Sequence, residues 1–487
     1  MGERVVIDLS RPTGNFWIDN GLVVLYRLFG AGEFDCEEVL EKLVETLVEE
    51  TGNLGEYFDL QTKEIKTYPK KNWKYPSNLF IKATPKAQKT KIDGKDYFLA
   101  PPKYELGFSF SRKKEHCDIC VRLAPLVKAK MWNYPFVVEP GKFANFYPGL
   151  KRELKLCPTC AVAGLAGYVG WLWRAQGRDA LHIFCFHGDL KDIEQLYREV
   201  LEPIRLEEGG GNVPLAFYGP YLHETAWGLL LRLFSYVRHH SEEEKLSPEA
   251  SQLLARLFGV SEKASFTPLV LYVITGKPSK AFDMQSFKEI SHLASLYRLY
   301  EHWIEIFKED PKPQEILENV FRQFQRREGN TYNTIWRERI SAAVLNFEDP
   351  LPPVEEFLFQ RDSNPLRKGS LKVFELYVKE VLTMDANLLN VIKGFGYSLG
   401  STAQKENEMG LLYALRNAKN LDEFFRVLND VQYRLGLTVP ESLLEVEPGE
   451  SIKGSPWRRV KTLLSIYAMN AFLRAQNKEE SKEGGNE

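Results

Sequence analysis

The feature that most restricts the fold of this chain is a pair of CxxC motifs, EHCDIC at residues 115–120 and LCPTC at residues 156–160. Each CxxC places two thiols on one tight turn, where both can bind the same ion. Two such turns supply the four soft ligands of a tetrahedral structural zinc site. We therefore predict one structural Zn²⁺ ion, with the ligands Cys117, Cys120, Cys157 and Cys160.

Zinc bound between the two pairs closes a long loop, so the free energy of metal binding becomes folding free energy for a module over about residues 106–165. A site with four cysteine ligands has no open coordination position, which indicates a structural and not a catalytic role. The sequence also contains no Walker-type glycine loop, no HExxH, no GxSxG and no dinucleotide-binding fingerprint on a predicted strand. We therefore predict that the chain is not an enzyme.

Other interpretations of the cysteines stay open at this point. CPTC followed by an apolar segment is also typical of a redox motif that opens a helix, where the dipole lowers a thiol pKa. The thiols can also be inert core residues, or His116 can replace one of them as a ligand. We predict that Cys36 and Cys185 are core residues, although His182 and His187 flank Cys185 at a spacing that also allows a second metal site.

Length and periodicity predict a multidomain α+β protein: a mixed N-terminal domain with the zinc-bound insertion, a helix-rich middle part and a C-terminal helical bundle. We expect a strand at residues 5–10, an acidic amphipathic helix at 33–50, and a strand followed by a helix at 181–201. KGFGYSLGS, residues 393–401, is interpreted as a turn between two helices. Further helices are predicted at residues 224–240, 249–258, 284–308 and 314–326.

The prolines at 350–353 and the sequence RDSNP at 361–365 indicate a linker or domain edge. The predicted domains are a large domain over residues 1–365 (helix-rich over about 220–345), a helical bundle over 366–478, and a disordered tail over 479–487.

The chain carries no bulk attraction for nucleic acid, because its net charge is −2. The start of the sequence has no signal-peptide pattern, and its longest apolar run is too short to span a bilayer. We therefore expect a cytoplasmic protein that does not interact with a membrane.

Positive charge is nevertheless concentrated locally, since residues 63–95 hold ten lysines and only two acids. Lysines interleaved with aromatic residues are typical of a surface that contacts phosphates and stacks on bases, and the alternative is a solvated lysine-rich loop with aromatic core anchors. Two arginine-rich stretches, at 322–339 and 455–461, are further candidates or else ordinary helix surfaces. The candidate nucleic-acid-binding residues are Lys70, Lys71, Trp73, Lys74, Lys82, Lys86, Lys89, Lys91, Arg326, Arg327, Arg458 and Arg459.

Three features in this order resemble the CxxC–CxxC branch of the large subunits of type I CRISPR effector complexes (Cascade). They are TGNFWIDNGLVVLYRLFG near the start, the two CxxC segments EHCDIC and NFYPGLKRELKLCPTC, and a helical end with VIKGFGYSLGS and ALRNAKNLDEFFRVLNDV. The features span most of the chain. The CxxC pairs are the most specific part of the likeness, and the helical end is generic.

The resemblance implies a non-catalytic subunit in antiviral defence that lies near the 5′ end of the guide CRISPR RNA. Such subunits help to recognise the motif that flanks a double-stranded DNA target (PAM), promote strand opening and dock the helicase-nuclease recruited in trans. It also implies contacts with the other Cascade subunits and a C-terminal bundle that resembles the small subunit and binds the displaced strand. The alternatives are a stand-alone zinc-containing nuclease or other hydrolase acting on nucleic acid, and a redox or scaffold protein.

Overall fold

In the computed structural model the chain folds into two compact units. Unit 1 comprises residues 1–214 and 236–294, and unit 2 comprises residues 215–235 and 295–487. Residues 295–365, which the sequence assigns to the large N-terminal domain, thus belong with the C-terminal helices. The described residues are 6–9, 11–73, 87–130, 133–136, 154–176, 180–207, 213–242, 247–248, 252, 254, 269–278, 282–361 and 363–483.

Unit 1 contains both helices and strands. Its helices are α1 (Phe16–Phe29), α2 (Cys36–Leu47), α3 (Pro158–Gly170), α4 (Leu190–Leu196), a π-helical turn (Tyr197–Leu201) and α5 (Glu202–Glu207). Its strands are β1 (Val6–Asp8), β2 (Glu33–Asp35), β3 (Val48–Asp59), β4 (Glu64–Trp73), β5 (Lys89–Ile92), β6 (Lys95–Phe98), β7 (Lys114–His116), β8 (Leu123–Pro125), β9 (Val127–Lys128), β10 (Lys155–Leu156), β11 (Leu172–Gln176), β12 (Ala180–His187), β13 (Val270–Pro278) and β14 (Phe282–Ile290).

Two four-stranded sheets dominate the described strands of unit 1. One is antiparallel throughout, in the order β11-β12-β13-β14. Its strand β12 is buried on both faces, which explains the unbroken apolar run LHIFCF in the sequence. The other has the order β4-β3-β6-β5 and is largely exposed, with one parallel contact between β3 and β6.

The core of unit 1 is organised by the close approach of α1 and α3. Asn15 caps α1 by accepting hydrogen bonds from the backbone of Trp17 and Ile18, which begins the helix directly after TG. The indole Nε1 of Trp17 donates to the carbonyl oxygen of Gly164 at 2.8 Å. A Cβ at Gly21 would lie 1.7 Å from the carbonyl oxygen of Ala163, so only glycine permits this separation.

Unit 2 is mainly helical. Two helices span the unit boundaries along the chain, α6 (Leu222–Glu242) and α7 (Leu293–Ile306). The others are α8 (Pro313–Arg322), α9 (Ile335–Asn346), α10 (Leu351–Leu358), α11 (Ser370–Glu380), α12 (Ala386–Lys405), α13 (Met409–Asn417), α14 (Leu421–Leu435), a 3₁₀ turn (Glu441–Leu443) and α15 (Trp457–Glu483). Two short hairpins interrupt them, β15 (Arg326–Glu328) with β16 (Thr331–Asn333), and β17 (Ser451–Ile452) with β18 (Ser455–Pro456).

The predicted α+β multidomain fold with a C-terminal helical region is confirmed. Two predicted elements are wrong. KGFGYSLGS is not a turn but lies inside α12, where Gly396 and Gly400 allow α15 to approach; a Cβ at Gly400 would lie 2.0 Å from the carbonyl oxygen of Ala468. The helix predicted from residue 284 begins only at Leu293, because β14 occupies the preceding residues as the fourth strand of its sheet.

Near the C-terminus, α15 continues through Glu483, into the segment that we predict to be disordered, and residues 484–487 lie outside the described residues. Most of the helix predicted at 249–258 also lies outside them. Among the described helices, none combines the length and the apolar character needed to cross a bilayer.

Candidate functional site

The first CxxC motif lies on the turn of a short antiparallel hairpin formed by β7 and β8. The backbone N–H of Cys117 donates to the carbonyl oxygen of Arg122 at 2.9 Å, and that of Val121 donates to the carbonyl oxygen of Cys117 at 3.0 Å. Val121 follows the second cysteine with a φ of 62°, in the left-handed region. This residue turns the chain back into β8, so that both thiols lie on the same side of the turn.

The second CxxC motif lies where β10 passes into α3. Cys157 is the N-cap residue of α3, and its sulfur accepts the backbone N–H of Cys160 at 3.5 Å. Pro158 occupies the first turn, where its missing N–H costs no helical hydrogen bond. The motif is thus rigidly positioned by a helix that packs against α1.

Backbone contacts hold the two motifs together across the long spacer. The N–H of Asp118 donates to the carbonyl oxygen of Lys155 at 3.0 Å, and the N–H of Lys155 donates back to Asp118 Oδ2 at 2.7 Å. The backbone N–H of Cys157 lies 3.3 Å from Cys117 Sγ. Sequence reasoning overlooked Asp118, although an acid inside the first CxxC was a signal that it could bind backbone groups of the turn.

The four cysteines Cys117, Cys120, Cys157 and Cys160 form one cluster, with all four sulfurs within 4.8 Å of one another. Cys120 Sγ and Cys157 Sγ are 3.6 Å apart. A tetrahedral site with metal–sulfur distances of about 2.3 Å requires sulfurs roughly 3.8 Å apart, so the cluster is close to that geometry. All six cysteines of the chain are free thiols. The cluster can therefore hold one metal ion.

The crowding of the thiols makes their ionisation interdependent. Hydrogen bonds from Cys120, Cys157 and Cys160 lower the pKa of the Cys117 thiol. Hydrogen bonds with Cys117, Cys120 and Cys157, followed by burial, raise the pKa of Cys160. The four thiols therefore do not ionise independently, and four thiolates this close together require a cation to compensate their charge.

The structure separates the other cysteines and the histidines from this cluster. His116 is exposed, and its Nδ1 lies 2.8 Å from the carbonyl oxygen of Val121. Cys36 and Cys185 are buried, which confirms them as core residues. Burial, with smaller contributions from Asp35 and Glu37, raises the pKa of the Cys36 thiol to about 12.

The two histidines on β12 have partners of their own. His182 Nδ1 lies 2.8 Å from Thr275 Oγ1, and His187 Nε2 lies 3.2 Å from Asp19 Oδ2. In the part of the chain that the structure describes, the four-cysteine cluster is the one group of His, Cys, Asp and Glu ligands able to hold a metal.

The lysine-rich stretch forms two outer strands of the exposed sheet. Lys70 and Lys71 are exposed on β4, and Lys89 and Lys91 are exposed on β5 at the opposite edge. Trp73 ends β4 opposite Val48. Three further candidates, Lys74, Lys82 and Lys86, lie outside the described residues.

The acids of β3 neutralise part of this sheet. Lys66 pairs with Asp59, Lys95 Nζ lies 2.6 Å from Glu56 Oε2, and Lys71 Nζ lies 3.9 Å from Glu50 Oε1. Lys89 instead lies over the ring of Phe98, with Nζ 4.9 Å from the centroid. The basic character predicted from the sequence is therefore weaker in the folded sheet, and it is greatest at the outer edges.

The arginine candidates differ in how far they are engaged. Arg327 and Arg458 are exposed. Arg326 donates to Ser363 Oγ at 3.1 Å, and Arg459 Nε donates to Asp349 Oδ2 at 2.9 Å, so these two also connect segments of unit 2. Arg337, which the sequence places in the same basic stretch as Arg326, is fully buried and pairs with buried Glu224 at 2.7 Å.

The sequence matches no family model, and a search of the curated proteins finds no significant match.

Proposed function

We propose that this chain is the non-catalytic large subunit of a type I CRISPR RNA-guided surveillance complex, and that its four-cysteine cluster holds one structural Zn²⁺ ion. In this proposal the chain is cytoplasmic and binds the guide RNA near its 5′ end. It contacts target DNA near the flanking motif and docks a helicase-nuclease that performs the cleavage.

One observation carries the proposal: the N-terminal segment and the two CxxC segments of the resemblance build a single core. TGNFWIDNGLVVLYRLFG forms α1, and LCPTC begins α3, the helix against which α1 packs through Gly21. EHCDIC is held to the start of α3 by the hydrogen bonds between Asp118 and Lys155. Segments that are distant in the sequence therefore act as one structural signature, which supports a shared fold with those large subunits.

Zinc is the metal that best suits the cluster. Four thiolate sulfurs near tetrahedral separation favour Zn²⁺ or iron–sulfur chemistry over hard cations such as Mg²⁺. Here three of the four cysteines are buried, and both CxxC turns direct their sulfurs to one point, as in a closed single-ion site. When bound, the ion cross-links the β7–β8 hairpin to the N-terminus of α3, while the protein residues position the thiols and exclude water.

Metal analysis of the purified full-length chain tests the zinc assignment. We expect one zinc per chain, and we expect Cys160→Ser to lose it. Cys185→Ser is the matched control, because Cys185 is equally buried but lies outside the cluster. A metal-free native protein whose thiols form disulfides readily, or iron in place of zinc, contradicts the assignment.

Co-purification tests the subunit assignment. The tagged chain, expressed from its native host under native conditions, is expected to retain a small RNA of uniform length and several repeated backbone subunits. The tagged Cys160→Ser variant serves as a control that reports whether the zinc module is needed for assembly. If the chain instead purifies alone and cleaves nucleic acid with a divalent metal, it is a stand-alone nuclease and the proposal is wrong.

A further inference from the structure

We infer that unit 1 carries a docking groove for a basic, extended peptide segment of a protein partner. The groove lies between α2 and the extended segment at residues 104–110, and its volume is about 980 Å³. We name it the acidic groove. The inference goes beyond the proposed function, because a groove lined by carboxylates repels nucleic acid and favours a cationic ligand.

Carboxylates line the groove. Glu37, Glu41 and Glu45 follow one another at a spacing of four residues, so they form a stripe along one face of α2. Asp35 and Glu105 complete the acidic lining, and no lysine, arginine or histidine of the described residues contributes to it. A segment that enters this groove therefore needs positive charge.

The glutamate stripe is only weakly compensated within the protein. All three glutamates are exposed, and Lys42 Nζ lies 3.0 Å from Glu45 Oε2. In the described part of the chain, neither Glu37 nor Glu41 forms an ion pair. Like charges four residues apart destabilise a helix, and α2 has no basic residue in its last turn. The stripe is thus complementary to lysine or arginine side chains, which would remove this repulsion.

The rest of the lining is largely apolar. Leu40 and Val44 contribute to it from α2, and Leu106, Phe108 and Phe110 contribute from the extended segment. The last three side chains pack against the core of unit 1 and are half-buried, and the rings of Phe108 and Phe110 are 5.7 Å apart. A metal cation gains nothing from such contacts, whereas an apolar centre with a polar rim is the usual composition of a protein interface.

The segment at residues 104–110 resembles a strand that pairs with no other strand of the described residues. Its side chains alternate between half-buried and exposed, which is the period of a β-strand. Within the described residues, the backbone groups of Leu106, Gly107, Ser109 and Phe110 form no hydrogen bonds. An added strand satisfies such groups. The partner segment is therefore extended, and it alternates lysine or arginine with apolar residues.

Fluorescence anisotropy with the full-length chain tests the class of ligand. The probe is the labelled peptide VKVKVKV. Its controls are VVVVKKK, which has the same composition in blocks, and VEVEVEV, which has the same alternation with the opposite charge. We expect the alternating basic peptide to bind more tightly than both controls. Its affinity should fall as salt rises from about 0.05 to 0.5 M, because the screening length shrinks.

Glutamine variants test the acidic stripe. Glu37→Gln with Glu41→Gln is expected to weaken binding of VKVKVKV on the order of five-fold, since each exposed ion pair contributes modestly. The salt dependence should weaken as well. The matched control is Glu38→Gln with Glu49→Gln, which makes the same charge change at two exposed acids outside the lining.

A lysine placed in the groove tests the site itself. Val44 is half-buried in the lining. Val44→Lys puts a charge of the same sign as the peptide there, and its aliphatic stem allows the ammonium group to reach solvent, so that α2 stays folded. We expect a loss on the order of ten-fold or more. Thr46→Lys is the matched control, because Thr46 is half-buried in the same helix but outside the lining; this variant should bind the peptide as the unmodified chain does.

Three outcomes overturn the inference: equal binding of the alternating and block peptides, equal losses in the two glutamine variants, or full binding by folded Val44→Lys. If Val44→Lys does not fold, the comparison of the two glutamine variants decides. A concentration-dependent dimer that Glu37→Gln with Glu41→Gln dissociates would assign the groove to a second copy of the chain and would also overturn the inference. None of these results depends on whether guide RNA co-purifies, so the groove and the proposed function are judged separately.

Discussion

At the scale of single residues, Val121 is the most unusual position in the candidate metal centre. It adopts a φ of 62° and is 67% exposed, so no packing compensates the left-handed backbone of a β-branched residue. The left-handed conformation costs roughly 1–2 kcal/mol for a residue with a Cβ. The strained backbone at Val121 therefore accompanies a turn that directs the sulfurs of Cys117 and Cys120 to one point.

We predict that Val121→Gly stabilises the zinc-loaded protein. Glycine removes the strain but loses more chain entropy on folding, so the expected net gain is about 0.5–1 kcal/mol. Thermal denaturation in the presence of zinc measures the change. Val121→Ala is the control, since alanine keeps a Cβ at the same φ and should gain much less. Equal stabilities of the two variants would show that φ at this position is not strained.

The residue scale also shows which parts of the site were accessible from sequence. The four candidate cysteine ligands could be predicted from the sequence, because each CxxC is a local pattern whose geometry depends on adjacent residues. The burial of Arg337 could not be predicted, because its partner Glu224 lies 113 residues away and the surrounding sequence indicates a surface helix. The sequence groups Arg337 with a stretch of basic residues, but in the fold some of these residues are buried and others are on the surface.

At the scale of elements, glycines determine how helices meet in each unit. In unit 1, a Cβ at Gly21 of α1 would lie 1.7 Å from the carbonyl oxygen of Ala163 in α3, and a Cβ at Gly164 of α3 would lie 2.0 Å from the carbonyl oxygen of Asn133, which lies in a turn. In α12, Gly396 and Gly400 allow a comparable approach of α15. The same residue type that we interpreted as a turn signal in KGFGYSLGS is thus a packing device inside a helix. The local sequence does not distinguish these cases, because the partner helix is remote.

We predict that Gly164→Ala destabilises the protein by about 1–3 kcal/mol, the usual cost of overpacking a core. Gly394→Ala is the matched control: this glycine is exposed in α12, and apart from its chain neighbours and the backbone of its own helix, no atom lies within 4 Å of the position that an alanine methyl group would occupy. Because alanine favours a helix interior, the control should gain about 0.5–1 kcal/mol. Melting temperatures compare the two, and destabilisation by both variants would contradict the close contact at Gly164.

The exposed sheet allows a prediction about DNA. Under the proposed function, the double variant Lys70→Glu, Lys71→Glu is expected to weaken the binding of DNA that carries the flanking motif by the assembled complex and to reduce the salt slope by about 2. Lys66→Glu, Lys95→Glu makes the same charge change on the same sheet and should have a smaller effect, because Asp59 and Glu56 pair closely with these lysines, whereas Lys71 lies 3.9 Å from Glu50. Unchanged binding by the first variant removes these lysines from the interface.

At the scale of the whole molecule, the chain comprises two compact units, and the candidate metal centre lies entirely in unit 1. The fold class was predictable from periodicity, since amphipathic helices dominate the second half of the sequence. The division between the units could not be predicted in this way, because residues 215–235 belong to unit 2 although the residues on both sides of them in the sequence belong to unit 1. The prolines at 350–353 were interpreted as a linker or domain edge. In the structure they lie at the start of α10, within unit 2.

We predict that removing the metal affects the two units unequally. A strong chelator should lower the calorimetric transition of unit 1 by several degrees, because the free energy of metal binding is part of its folding free energy. The transition of unit 2 should stay within about one degree, since the cluster contributes no residue to it. Re-addition of zinc is the control, and a chelator-independent thermogram would contradict a structural metal.

The packing of α1 against α3 has a consequence for folding during synthesis on the ribosome. The hydrogen bond from Trp17 to Gly164 spans 147 residues. The backbone N–H of Asp8 likewise donates to a distant acceptor, Thr159 Oγ1, at 3.1 Å. At a synthesis rate of about 5–20 residues per second, the ribosome needs roughly 7–30 s to supply the partner helix. During that interval the first helix emerges without its packing partner, and the arrival of the last cysteine pair sets the moment when the N-terminal core can close.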